Sequence, residues 1–270
     1  MAYNLLKGKK GIIFGALDEN SIAWKVALRA KEEGAEFTLT NAPIAMRMGE
    51  INKLAEQCNA TVIPADATSI EDLENLYDKS MEALGGKIDF VLHSIGMSPN
   101  VRKGKEYGDL NYEWFLKTLD ISGLSFHKVL QVAEKKDALN EYASVVALSY
   151  IAAQRSFPDY SDMAQAKAVL ESIARSYGYK LGKSKKVRVN TISQSPTVTT
   201  AGKGISGFNT FIDYAEMMSP LGNASAQECA DYVISMFSDL TRKVTMQNLF
   251  HDGGFSCTGI TEALIERLEK

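Results

Sequence analysis

The stretch Gly11-Ile12-Ile13-Phe14-Gly15-Ala16-Leu17-Asp18-Glu19-Asn20-Ser21-Ile22-Ala23 runs from a short apolar segment through a turn directly into a helical pattern. A strand that feeds a helix across a tight turn is the opening unit of a parallel sheet, because parallel neighbours need a crossover between them. The rest of the chain repeats that unit. Apolar runs at 11–15, 35–40, 61–65, 88–94, 143–149, 187–193 and 245–251 read as seven strands. Helices are expected over 21–33 and 69–84, each opened by a Ser able to cap exposed backbone donors, with Gly34 ending the first. Longer helices are expected over 114–135 and 160–181, the second after Pro158 and Asp159. No linker, repeat or low-complexity tract interrupts the series. The expected fold is therefore α/β: a single Rossmann-type doubly wound domain over 1–270, its seven-stranded parallel sheet covered by helices on both faces.

Composition narrows the function. The 270 residues are 45% hydrophobic and 23% charged with a net charge of −3, an ordinary globular balance without the positive field that attracts nucleic acid or an anionic membrane. Neither partner is expected. The basic runs at 7–10 and 183–188 read as solvated element ends. Cys58, Cys229 and Cys257 form no CxxC, so no disulfide framework or metal site is implied, and a reducing cytoplasm fits best. The N-terminal apolar run is far shorter than a membrane span and lacks the order of a signal peptide.

One segment breaks the pattern. Residues 194–224 are rich in Ser, Thr, Gly and Asn, too long for a passive connector, and follow the carboxyl end of a strand, where open α/β sheets bind ligands. They read as a substrate-binding lid.

A dinucleotide is expected at the same edge. The turn after the first strand is not GxGxxG, but Gly15 with Ser21 and Ile22 at a helix N-terminus can cradle a pyrophosphate on unpaired backbone N–H groups. Asn41 ends the second strand where the adenosine ribose sits, and Asp66 and Ala67 end the third beside the adenine. Asn41 is neutral and Arg47 lies six residues on, so NADH is favoured over NADPH. After the fourth strand the small residues Ser94, Ile95 and Gly96 let backbone approach the cofactor. His93, among apolar neighbours, reads as a buried structural imidazole.

The chemical centre is expected at Tyr150 and at Tyr160-Ser161-Asp162-Met163-Ala164-Gln165-Ala166-Lys167. Seven residues are close to two helical turns, so a helix containing Tyr160 sets it on one face with Lys167. Spacing alone is equally compatible with three amphipathic surface residues.

These residues resemble the short-chain dehydrogenases, although the ordinary serine and tyrosine places, counted back from Lys167, hold Tyr150 and Met163. The chain is more similar to the divergent enoyl-acyl-carrier-protein reductases of bacterial type II fatty acid synthesis, where tyrosine and lysine stand seven apart. The likeness extends through Gly15 with Ser21-Ile22-Ala23, His93-Ser94-Ile95-Gly96, Leu148-Ser149-Tyr150, Val187-Arg188-Val189-Asn190 and His251-Asp252-Gly253-Gly254-Phe255. That resemblance implies that Lys167 holds the nicotinamide ribose, Tyr160 faces the thioester carbonyl and Tyr150 lines the same pocket. It also places Pro196 and Thr197 against the dinucleotide. Met97 and Ser98 depart from the family by replacing in part the usual small residues after the fourth strand; they are read as substrate-binding residues that alter the pocket's width. It implies an enoyl thioester on acyl carrier protein as substrate and a homotetramer as the assembly. Gln194-Ser195-Pro196 replaces a frequent Gly-Pro pair, so the backbone there must avoid glycine-only geometry. The rival expectations are a carbonyl or ketoacyl reductase and a non-catalytic dinucleotide-binding scaffold.

Overall fold

The protein is described by a computed structural model covering residues 2–158, 160–199 and 208–269. Its strands are β1 (Lys10–Phe14), β2 (Glu36–Thr40), β3 (Thr61–Val62), β4 (Ile88–His93), β5 (Leu139–Ser149), β6 (Arg188–Gln194) and β7 (Asn248–His251). The helices are α1 (Ile22–Glu32), α2 (Pro43–Met46), α3 (Ile51–Cys58), α4 (Ile70–Leu84), α5 (Pro99–Arg102) and α6 (Tyr112–Leu119). There follow α7 (Ser125–Lys135), α8 (Met163–Lys185), α9 (Phe208–Met218), α10 (Ala226–Phe237) and α11 (Glu262–Leu268). All strands pair in parallel, in the order β3-β2-β1-β4-β5-β6-β7. The expected single α/β domain with seven parallel strands is what forms.

Each sheet face has its own core. On one, Leu73, Leu76, Phe126, Leu130 and Leu170 of α4, α7 and α8 cover the sheet. On the other, Trp24 and Ala27 of α1 pack with Val233 and Phe237 of α10, and the Phe90 and Phe237 rings stack at 4.6 Å. Burying one such side chain stabilises by about 1.5–3 kcal/mol, which is why strand residues read as near-continuous apolar runs.

Element boundaries differ from expectation where side chains, not hydrophobic periodicity, decide them. β5 begins four residues early and crosses an irregular register near Tyr142, whose φ is 62°. β3 and β7 are shorter than read from their apolar runs. The helix expected over 114–135 is continuous but contains a π-turn, Asp120–Leu124, between α6 and α7. Ser69 caps α4 through the Asp72 N–H, whereas Ser21 does not cap α1: its hydroxyl accepts from the Leu17 N–H and donates to the Asp18 carbonyl. Arg188 is not a solvated basic residue. It is 2% exposed and donates to the Met236 carbonyl in the last turn of α10 and to the Ser238 and Thr241 carbonyls just beyond it. The 194–224 segment contains α9, whose Ala215 and Met218 pack with Ile151 and Phe255; its residues 200–207 lie outside those described.

The strand order reverses between β1 and β4, which opens a crevice at their carboxyl ends. Gly15 stands there with φ 94°, and a Cβ on it would lie 1.9 Å from the Ser94 carbonyl oxygen. Both the backbone conformation and the space demand glycine. Gly15→Ala is expected to destabilise the fold by about 2–4 kcal/mol, read as a fall in urea midpoint, and to weaken dinucleotide binding further. A variant with unchanged midpoint and NADH affinity contradicts this account of the turn.

Candidate active site

A single cleft of about 690 Å³ follows that crevice along the carboxyl edge of the sheet. Gly15, Ser21, Ile22, Asn41, Asp66, Ala67, Ser94, Ile95, Gly96, Met97, Ser98, Tyr150, Tyr160, Lys167, Pro196 and Thr197 all line it. Residues 15 to 197, dispersed in sequence, converge because each follows the carboxyl end of a strand or the helix beyond it. Arg47 is exposed and is not among the lining residues.

At one end lie Asn41, Asp66 and Ala67. The Asn41 amide is occupied by the main chain, donating to the Ala16 carbonyl and accepting from the Ala42 N–H, which braces β2 against the turn after β1. Asp66 Oδ1 accepts from the Thr68 N–H and hydroxyl. No side chain caps α1, so its first-turn N–H groups carry their partial positive charge next to the cleft residues Ser21 and Ile22. A closely approachable backbone at Gly15 and these donors fit a pyrophosphate.

The other end holds the tyrosines and the lysine. Lys167, on the second turn of α8, is 7% exposed and its ammonium donates to the Leu148 carbonyl at 2.8 Å and the Ile95 carbonyl at 3.2 Å. Burial pushes its pKa down to about 8, against the opposing pull of the Glu171 carboxylate. Glu171, itself buried, accepts from Ser149 Oγ at 2.7 Å and Gln154 Nε2 at 2.9 Å, fixing the backbone that leads into Tyr150. The Tyr150 and Tyr160 rings meet at 4.9 Å and 54°, and burial raises the pKa of both phenols, so both remain O–H donors at neutral pH.

Tyr160 is not in the helix, contrary to one expectation. α8 begins at Met163, and the chain reaches it through Ser161 in a left-handed conformation, φ 45°. Tyr160 therefore shares the cleft with Lys167 through this turn and not through helical phase. Asp159 lies outside the described residues. His93 is fully buried between Phe14 and Phe126, and its Nε2 meets Ser125 Oγ at 2.9 Å. Burial, with the nearby Lys167 charge, pushes its pKa down to about 3, so it is a neutral structural imidazole.

Several site residues escape sequence reading. Asp162 collects hydrogen bonds from Ser98, Asn100 and Thr118. The Ser98 hydroxyl is thus committed to Asp162 and to the Val101 N–H, although the residue lines the cleft. Ser122, in the π-turn, accepts from the Met97 N–H and donates to the Met97 carbonyl. Gln194 and Ser195 tie the two ends of the 194–224 segment through the Ala224 carbonyl and N–H, without left-handed backbone at Ser195. Phe157 and Phe211 add an apolar wall beside Tyr150. Asp162, Asn100, Thr118, Ser122, Phe157 and Phe211 have no spacing signal, whereas Met97, Ser98, Gln194 and Ser195 stand in stretches legible from the sequence and only their partners are not.

The fold has close counterparts among known proteins. The chain is 68% identical to a FabI–NADH complex from Alistipes finegoldii over 97% of this chain and 92% of that one, with a TM-score of 0.96. An enoyl-[acyl-carrier-protein] reductase (NADH) from Aquifex aeolicus is 30% identical over 95% of this chain and all of the other, with a TM-score of 0.87. "Enoyl-[acyl-carrier-protein] reductase [NADH] 1" of Rhizobium meliloti (strain 1021) is 33% identical over 96% of this chain and 94% of its own length. The model of the family described as Enoyl-(Acyl carrier protein) reductase matches residues 15–256. With that match across nearly the whole sheet and cleft, the chain belongs to the enoyl-(acyl carrier protein) reductase family.

Proposed function

We propose that this protein reduces the trans-2 double bond of an enoyl thioester carried on acyl carrier protein, using NADH. The observation that carries this reading is the buried Lys167 ammonium, held by Leu148 and Ile95 carbonyls in the same cleft as the Tyr150–Tyr160 pair. The chemistry NADH would supply when bound is a hydride for the β carbon. Negative charge then gathers on the thioester oxygen, where a phenol O–H is worth most, because the interaction strengthens as the charge develops. Tyr160 is assigned that donor role, and its raised pKa keeps the proton on oxygen. Lys167 would offer its remaining donor to the nicotinamide ribose and would add a positive potential. Tyr150, Met97 and Ser98 bound the acyl pocket, and the α carbon takes its proton from solvent.

Gly15, Ser21 and Ile22 would hold the pyrophosphate. Asn41, Asp66 and Ala67 would meet the adenosine, and Ser94, Ile95, Gly96, Pro196 and Thr197 the nicotinamide half. The absence of a cation among the described lining residues next to Asn41 supports NADH over NADPH. The 194–224 segment is assigned as the substrate-binding loop.

We further read the working form as a cytoplasmic homotetramer. Tyr112 and Leu116 of α6, 77% and 68% exposed, and Ile265 and Leu268 of α11 offer apolar surface for such contacts. Among the described residues, no helix is long and apolar enough to cross a membrane. A sedimentation mass of 29.6 kDa contradicts the tetramer.

The purified protein should oxidise NADH with crotonyl thioester, faster than NADPH, and leave acetoacetyl thioester untouched. Absence of turnover with either nicotinamide overturns the reading, and preference for the keto substrate replaces it with the ketoacyl reductase.

A further inference from the structure

The entry into α8 is strained. Ser161 is a β-substituted residue at φ 45°, buried, between Tyr160 and Asp162. Such a conformation costs roughly 1–2 kcal/mol and persists only where the surroundings over-determine it. Asp162 supplies that determination. Its carboxylate is fully buried and accepts from Ser98 Oγ at 2.6 Å, Asn100 Nδ2 at 2.7 Å and Thr118 Oγ1 at 2.9 Å. Asp162 stands at the N-cap of α8 yet caps nothing there, and both its oxygens face the 98–118 segment.

The donors are themselves fixed. Ser98 Oγ accepts from the Val101 N–H at 3.0 Å, and Asn100 exchanges two hydrogen bonds with the Asn111 main chain. The one hydrogen of the Thr118 hydroxyl is shared between Asp162 and the Trp114 carbonyl. Over this polar layer Val101, Met163 and Ala166 form a small apolar cluster that includes the Tyr160 ring. One carboxylate therefore joins the α5 wall of the cleft, α6 and the turn that presents the phenol. A buried carboxylate satisfied by neutral donors is unstable to the loss of any one of them, so the network holds one geometry.

We propose that Asp162 is the positioning residue of Tyr160, fixing the phenol against the acyl pocket by anchoring the left-handed turn at Ser161. This rests on the reductase reading, and wild-type turnover with crotonyl thioester tests that reading separately. Asp162→Ala should lower kcat by about 30-fold while the NADH dissociation constant stays within about twofold, because a displaced donor loses transition-state contact but Lys167 keeps its own anchors. Asp162→Asn, which keeps the size and one acceptor, should recover a large part of the lost rate. Fluorine NMR of fluorotyrosine-labelled protein reads the phenol without substrate: the resonance missing from Tyr160→Phe should shift in Asp162→Ala.

If Asp162→Ala does not fold, Thr118→Val and Ser98→Ala each remove one donor and should lower kcat by about threefold or more at unchanged NADH affinity. A purely structural carboxylate predicts otherwise. Folded Asp162→Ala with kcat within twofold of wild type and an unmoved Tyr160 resonance overturns the proposal. So does an equal loss of NADH affinity and rate, or Thr118→Val and Ser98→Ala that both leave kcat unchanged.

Discussion

Lys167→Met should lose about 10³-fold in kcat/KM together with most of its NADH affinity, and yet unfold at the same temperature as wild type or higher. The loss follows from charge-assisted hydrogen bonds worth about 1.5–3 kcal/mol each, for which a thioether has no donor. The retained stability follows from burial. The ammonium of a lysine that is only 7% exposed has been stripped of most of its water, and two carbonyls repay only part of that cost. A methionine of similar length fills the space without the penalty, so function and stability should move in opposite directions. Calorimetry and NADH titration of one preparation check both halves. Retained NADH affinity would remove Lys167 from the cofactor site, and loss of the fold would make it structural.

The same residue sets a pH dependence. Its folded-state pKa of about 8 lies below the ordinary lysine value of 10.5, so the fold disfavours the proton. Between those values the unfolded chain binds more protons than the native one, and stability from this group rises with pH across that window. Cofactor binding runs the other way. In the proposed reading it uses the ammonium, so NADH affinity should decline above about pH 8, and binding at that pH should take up protons from the buffer. Glu171 beside it opposes the decline by favouring the charged form.

The sheet is legible in the sequence because buried parallel strands leave continuous apolar runs, and the carboxyl ends of the strands fall within one residue of their apolar runs, except at β3, which stops at Val62 three residues short. What sequence reading missed depends on distant partners. The Tyr160 to Lys167 spacing suggested a shared helical face, but Ser161 turns the chain before α8 begins, and the turn is held by Ser98, Asn100 and Thr118, over forty residues upstream. The Ser21 hydroxyl looked like a cap and instead closes the loop from Leu17 and Asp18, leaving α1 donors for a ligand. The π-turn at 120–124 has no periodicity signal, yet it gives Ser122 its hold on Met97 and lets Gly123 sit where a Cβ would be 2.9 Å from the Ala166 carbonyl.

Tyr160→Phe should lower kcat by about 10²-fold at unchanged NADH affinity and unchanged stability, since removing one preorganised donor to a developing oxyanion costs that order. The substitution is clean here. The ring keeps its contact with Tyr150 and its place beside Val101 and Met163, and among the described residues no hydrogen bond to the hydroxyl is lost. Tyr150→Phe is the matched control and should cost less than about fivefold, because that ring is assigned to bound the pocket without donating to the reacting oxygen. The alkaline limb of the pH–rate profile separates the groups further. Burial raises the Tyr160 pKa above the ordinary phenol value, so the phenol holds its proton where Lys167 loses its own near pH 8. Tyr160→Phe should therefore run slower with the limb in the same place. A limb that vanishes with the hydroxyl would assign the titration to Tyr160, and a larger effect at Tyr150 would exchange the roles of the two rings.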